Sequence, residues 1–302
     1  MLMVLMIVST LRVSDAHFVD FLGRGVFGSK GDDPDGKSGK LHLNNCTFVS
    51  EIETDKQTIY STDFVDVIMN NVKVHTNSFG GGVKIEVFKR AAIDGLDIIT
   101  PGNGLEIKGL QKDGFFGGDY FARNIVIDVE SEGFLSSFCD GKSILENFSI
   151  KSKGLGWRIS GVKYFTANNG NITDVDNHGA YIIFKDFSKI AKAGEDNYFH
   201  LDISNVAFVN WGLGSKFYQN AILFSVDNEV DGTINGLRLQ NISLIIEDGK
   251  QTNQIGLDWS PFDNNKLGDS WLDGISFVNV PIPINEVSGK GEGLVERYIG
   301  VQ

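Results

Sequence analysis

One short motif recurs along the whole chain of 302 residues, a small polar residue or glycine followed by an apolar–any–apolar triplet, and it limits the possible folds more than composition does. It reads Asp15-Ala16-His17-Phe18, Asn45-Cys46-Thr47-Phe48, Asn71-Val72-Lys73-Val74, Gly95-Leu96-Asp97-Ile98, Asn124-Ile125-Val126-Ile127 and Asn147-Phe148-Ser149-Ile150. It degenerates at Asn169-Gly170-Asn171-Ile172, then returns as Asn205-Val206-Ala207-Phe208, Asn241-Ile242-Ser243-Leu244 and Gly274-Ile275-Ser276-Phe277. Successive starts lie 30, 26, 24, 29, 23, 22, 36, 36 and 33 residues apart, a spacing that one coil of three short strands and three turns fills with loops of varying length. A second signature, glycine followed by alternating apolar residues, trails the first by 9 to 11 residues at Gly25, Gly82, Gly104, Gly133, Gly156 and Gly179. Two registered strands per repeat favour a solenoid over a sandwich, which requires no such offset. A propeller blade needs a longer, steadier period, and leucine-rich repeats need fixed leucines with helical periodicity between strands. The expectation is an all-β chain, a parallel β-helix of about ten coils, forming one domain over residues 1–302.

Composition agrees and removes several function classes. Glycine stands at 36 residues against 5 prolines, and 22 phenylalanines outnumber 4 methionines and 4 tryptophans, which suits short strands and tight turns. The formal charge of −12 repels a phosphate backbone, so nucleic-acid binding is disfavoured, and an acidic polysaccharide would need a local basic patch. Cys46 and Cys139 lie far apart and read as core thiols. The opening apolar run, residues 1–8, is too short to span a bilayer and lacks the marks of a signal peptide, so it reads as a strand and no membrane association is expected. The chain starts inside a coil without the polar cap that solenoid ends need, so either residues precede it or another chain, as in a homotrimer, covers the end. Asp32-Asp33-Pro34-Asp35-Gly36 carries enough carboxylates for calcium, but a solvated acidic turn explains it equally well, and no metal or cofactor is expected. The sequons at Asn45, Asn147, Asn171 and Asn241 are produced by the repeat itself, and Asn169, Asn205 and Asn241 are expected in an internal amide ladder.

The coil pattern resembles the pectin-lyase-like superfamily of right-handed β-helices, which includes polysaccharide lyases, glycoside hydrolases and bacteriophage tailspikes. The resemblance covers nearly the whole chain and implies a right-handed helix, a polysaccharide partner bound on the outer face, and an extracellular or virion-associated location. The paired-aspartate and Gly-His-Gly elements of polygalacturonases are absent, and Asn177-His178-Gly179 matches only in part. Candidate chemistry must therefore come from the residues themselves.

Gly133, Gly156 and Gly179 are separated by 23 residues each, so their coils can be overlaid without gaps. Five residues before them stand Asp128, Lys151 and Asp174, three before stand Glu130, Lys153 and Asp176, and seven after stand Asp140, Lys163 and Asp186. Strands about 4.8 Å apart would put each lysine between two carboxylates. Neighbouring columns add Glu132, Leu155 and His178, then Leu135, Arg158 and Tyr181, with Lys84 and Glu106 at the same place in earlier coils. Such alternation is what a solvated sheet face uses to stay soluble and in register. The functional reading rests on Arg158, His178 and Tyr181, types able to neutralise a sugar carboxylate and move a proton. In a lyase, Arg158 or Lys153 would neutralise a uronate while His178 or Tyr181 takes the proton. In a hydrolase, Glu130 and Asp176 would act from coils two apart, although the lysine between them would hold both ionised. Insertions at 113–120, 189–198 and 249–269 read as loops walling a groove, where Trp211, Trp259 and Trp271 could stack on a sugar or pack a corner. Trp157, directly after Gly156, should face the core. A non-catalytic fibre or adhesion module would use the same surface as a rigid spacer.

Overall fold

A computed structural model describes residues 5–6, 10–29, 39–109, 117–184, 199–214, 219–226, 236–247, 253–258, 271–285 and 298–299. Among them the chain is all-β, without helix, and every strand pairing is parallel. No helix among the described residues is long and apolar enough to cross a membrane. The acidic run 32–36 and the insertion 189–198 lie outside the described residues.

The repeat's first residue is a corner. Asp15, Asn45, Asn71, Gly95, Asn124, Asn147, Asn169, Asn205, Asn241 and Gly274 occupy one register position on successive rungs, each with φ between 50° and 75°. A left-handed residue bends the chain without breaking its ladder, so strands such as Lys40–Thr54, Phe134–Ser152 and Trp157–Val175 run continuously through the bend. The bend also shifts the inside–outside alternation by one. Asn44 and Asn45 point outward between buried Leu43 and Cys46, and Glu146 and Asn147 do so between buried Leu145 and Phe148. Both arms of the bend therefore present apolar side chains to the same interior. Asparagine suits the position because it tolerates positive φ and its amide reaches the next rung. Asn45 donates to Asp15 Oδ1 at 3.0 Å, Asn71 to Asn45 at 3.2 Å, Asn147 to Asn124 at 3.4 Å and Asn241 to Asn205 at 3.0 Å. The expected amide ladder is thus present but lies on the exposed corner rather than inside, and Asn205 bonds Asn168 rather than Asn169.

The glycine signature has a different cause. Gly82, Gly104, Gly133, Gly156 and Gly179 stack in one column, with Phe134 registered to Trp157 and Trp157 to Ala180. A Cβ on Gly82 would stand 2.6 Å from Ile98 Cγ2, one on Gly156 2.5 Å from Ile172 Cγ2, and one on Gly179 2.7 Å from Phe208 Cδ1. Those side chains belong to an interior column running from Phe48 through Val74, Ile98, Ile127, Ile150 and Ile172 to Phe208, Leu244 and Phe277. A small residue is favoured because the opposing strand and the next rung's carbonyl both pack close against the backbone, and Thr58 and Ala221 take the place of glycine on two rungs. Trp157 is fully buried among Phe148, Phe165 and Phe208, and both cysteines are buried free thiols, Cys139 pushed up to about 12 by burial.

Replacing Gly156 with alanine is expected to cost about 1–3 kcal/mol by overpacking, read as a lower urea midpoint. Asn147→Ala, which loses an amide bond and a residue tolerant of positive φ, should cost about 1–2 kcal/mol. An unchanged midpoint in Gly156→Ala would refute the close packing of strand against glycine.

Candidate functional site

Because +1 and +3 residues after each column glycine face the core, +2 and +4 residues face outward. This register brings together, on adjacent strands, Tyr60, Lys84, Glu106, Leu135, Arg158 and Tyr181, followed by Leu223, Asp258 and Asn285. The expected placement of Lys84 beside Glu106, and of Leu135, Arg158 and Tyr181 in one column, is what the structure has.

The charged panel beside this column is an exposed ion-pair ladder. Lys153 bonds Glu130 at 2.5 Å, with 64% and 56% of their side chains exposed, and that carboxylate raises the lysine's pKa. Lys151 is registered to Asp128 as expected, but its other neighbour is Thr173 rather than Asp174. The ladder between these rungs shifts register between Cys139 and Lys142, and Asp174, at φ 51° opposite Asn210 of the next rung, reaches Lys151 only at 3.9 Å. Asp176 lies on the turn beyond, against Gly214. Asp186 and Trp259 lie outside the described residues, as does the side chain of Trp271. Trp211 is 1% exposed and donates from Nε1 to the Gln219 and Ile255 carbonyls, so it packs a corner and offers no stacking surface.

The less exposed groups concentrate on the outward column itself. Glu132 ends the turn before Gly133, and only 17% of its side chain is exposed. Its pKa is raised because burial and the charge of Glu106 outweigh the opposing charge and hydrogen bond of Arg158. Glu106, 8% exposed, accepts from Asn103 Nδ2 at 3.0 Å, and Asn103 Oδ1 in turn accepts from the Glu132 amide at 3.3 Å. Arg158 donates directly to Glu132 Oε1. Two carboxyls on neighbouring rungs are therefore held by one asparagine and one arginine, and they differ in environment, the arrangement that separates an acid from a base.

Flanking groups lie on either side. Toward the N-terminal rungs, Glu86 accepts from the Tyr60 hydroxyl at 2.5 Å and pairs with Lys84 at 3.2 Å and Lys108 at 3.5 Å. Burial would raise the Glu86 pKa, but that hydrogen bond and both ammonium charges bring it below the ordinary value. Toward the C-terminal rungs, the His178 and Tyr181 rings lie 5.8 Å apart. His178 is 4% exposed, and its Nδ1 accepts from the Asn220 amide at 3.4 Å. Burial lowers its pKa to about 4 against a weaker upward pull from Asp258, which is held by Asn220 and Asn285 at 2.9 and 3.2 Å.

Sequence reasoning set Glu132 in its column but not among the site residues, because a turn residue carries no strand pattern. Tyr60 and Asp258 were reachable: Tyr60 is two residues after Thr58, which replaces glycine in the column, and Asp258 two after Gly256. Among the described residues, no group of three or more His, Cys, Asp or Glu could hold a metal ion. No family model, curated protein or solved structure matches the chain. Its class therefore rests on the fold, an all-β protein built of parallel strands.

Lys151→Ala should change stability by no more than about 1 kcal/mol, since both partners are solvated, and a loss of several kcal/mol would contradict the exposed ladder. His178 yields a pH signature. Its folded pKa lies below the unfolded value, so the unfolded state takes up the proton first, and stability should fall by about 3 kcal/mol as pH drops from about 6.5 to about 4. A His178→Gln variant followed by urea titration across that range should lack this component.

Proposed function

We propose that the chain is a right-handed parallel β-helix of the pectin-lyase-like kind, that it binds a polysaccharide along the outer face of the glycine strands, and that it cleaves that polysaccharide by hydrolysis, outside the cell or on a virion. The observation that carries this reading is the carboxyl pair: Glu132, raised by burial and by Glu106, beside a Glu106 fixed by Asn103. Glu132 would protonate the leaving glycosidic oxygen as the bond from the anomeric carbon to that oxygen breaks. Glu106 would take a proton from the water that forms the new bond to that carbon. Arg158, already paired with Glu132, positions the acid and is less suited to neutralising a uronate. Lys84, Lys108 and Tyr181 border the same face and are assigned to substrate contact.

The polysaccharide reading as a whole also includes elimination. Burial and the Asn220 bond at Nδ1 tell against His178 as a base open to substrate, and Tyr181 is the better placed of the two. A binding or spacer module is the second reading, favoured by the Glu130–Lys153 and Lys151–Asp174 pairs, which make an ordinary solvated face. Assembly as a homotrimer belongs to the proposal and would show in light scattering as about three times the 33.1 kDa chain mass.

The test is incubation with acidic and neutral polysaccharides, following reducing ends and the ultraviolet absorbance of unsaturated products. New ends without absorbance, reduced at least about a hundredfold in Glu132→Gln with the urea midpoint kept, support hydrolysis. Activity should also decline as pH rises through the elevated Glu132 pKa, because the acid must carry its proton. Unsaturated products would replace hydrolysis with elimination, and retained affinity without new ends would leave the binding module.

A further inference from the structure

Where asparagines meet on successive rungs of the corner, one step lacks a bond between them, and it coincides with a depression. Asn147 donates to Asn124, and Asn205 to Asn168, but no hydrogen bond joins Asn147 to Asn169 across the intervening step. There a shallow, open groove of about 570 Å³ is lined by residues of three successive rungs, among them Val126, Asn147, Ser149, Asn169 and Asn171. The irregularity has a structural cause. Gly170 occupies the position filled on neighbouring rungs by Phe148 and Val206, and the Phe148 ring lies across the space a Gly170 side chain would need.

The polar groups in the groove have chemistry in common. The Asn147 carbonyl oxygen, the Asn169 and Asn171 amides and the Ser149 hydroxyl have no protein hydrogen-bond partner among the described residues. Asn147 and Asn169 are neighbours across one strand spacing, as are Ser149 and Asn171, so donors and acceptors repeat about every 4.8 Å along the stack. Beside them Val126 is 50% exposed, and no charged side chain lines the groove. Paired amides and a hydroxyl around a small apolar surface match sugar hydroxyls and the C–H face of a pyranose. Nothing in that set compensates a carboxylate or sulfate.

We infer that this groove is a second carbohydrate-binding site, specific for a neutral glycan chain lying along the stack, on a different strand face from Glu106 and Glu132. It does not depend on the hydrolytic reading. Its function would be to hold the polymer while the other face acts on it, or to anchor the protein to a glycan surface.

The test uses the full chain and three neutral probes, cellohexaose, maltohexaose and mannohexaose, measured by calorimetric titration. A Ser149→Arg/Asn171→Arg double variant fills the groove at two outward strand positions, neither of which has positive φ, and the urea midpoint verifies its fold. At least one probe should bind the native chain, weaken at least tenfold in the double variant and bind Glu132→Gln undiminished. No binding of any probe overturns the inference. So does binding that survives the double variant, and loss confined to Glu132→Gln would place the glycan on the glycine strands instead.

Discussion

The architecture depends on a backbone that turns left-handed while staying hydrogen-bonded in a parallel ladder. A residue near φ +50° at each corner lets two consecutive side chains point outward, so the strands before and after both direct their apolar residues inward. Without it, the alternation of Leu41, Leu43, Cys46 and Phe48 would place one arm's apolar residues in water. The intrinsic cost of the left-handed state recurs at every level. It is offset by the amide bonds of the asparagine ladder and by burial on both arms.

The glycine column is the counterpart of that corner. Each glycine receives the Cγ2 methyl of an isoleucine or the edge of a phenylalanine from the opposing strand, which closes the interior around columns of Ile, Val and Phe. Close packing also makes the outward positions after the glycine rigid. A carboxylate or guanidinium on such a strand is held by neighbours about 4.8 Å away on both sides. Glu106, Arg158 and Tyr181 owe their alignment to this column, and Glu132 its position to the turn that delivers Gly133.

Much of this was legible in the sequence, and what was not has identifiable reasons. The corner residues carry a composition signal, since asparagine, aspartate and glycine accept positive φ, and all ten predicted starts occupy the corner column. The glycine signature was legible except where Thr58 and Ala221, small enough for the same place, interrupt it and hide Tyr60. The acid–lysine–acid register failed at Asp174 because equal glycine spacing does not report the register shift between Cys139 and Lys142, which sets Lys151 opposite Thr173. Of the two roles open to Trp211 in the sequence, stacking on a sugar or packing a corner, the structure has the corner, its indole N–H satisfied by two carbonyls that no local pattern announces.

Electrostatics decides which part of the outer face can do chemistry. In a chain of charge −12, carboxylates are common, and several, like Glu130 and Asp94, lie beside a solvated cation. Glu132 differs in three respects: it is partly removed from water, it has another carboxylate as neighbour, and its one cation, Arg158, does not outweigh both. The same removal from water that raises Glu132 also strengthens its ion pair with Arg158, so the side chain is held firmly while its proton is held longer. Exposed pairs on the adjoining strand can be altered with little consequence, whereas a change at Arg158 or Glu106 shifts the balance that raises the Glu132 pKa. Removing Arg158 takes away the charge that favours ionisation and should raise Glu132 further, while removing Glu106 should lower it, so the two substitutions would move an acid-dependent activity in opposite directions along the pH axis.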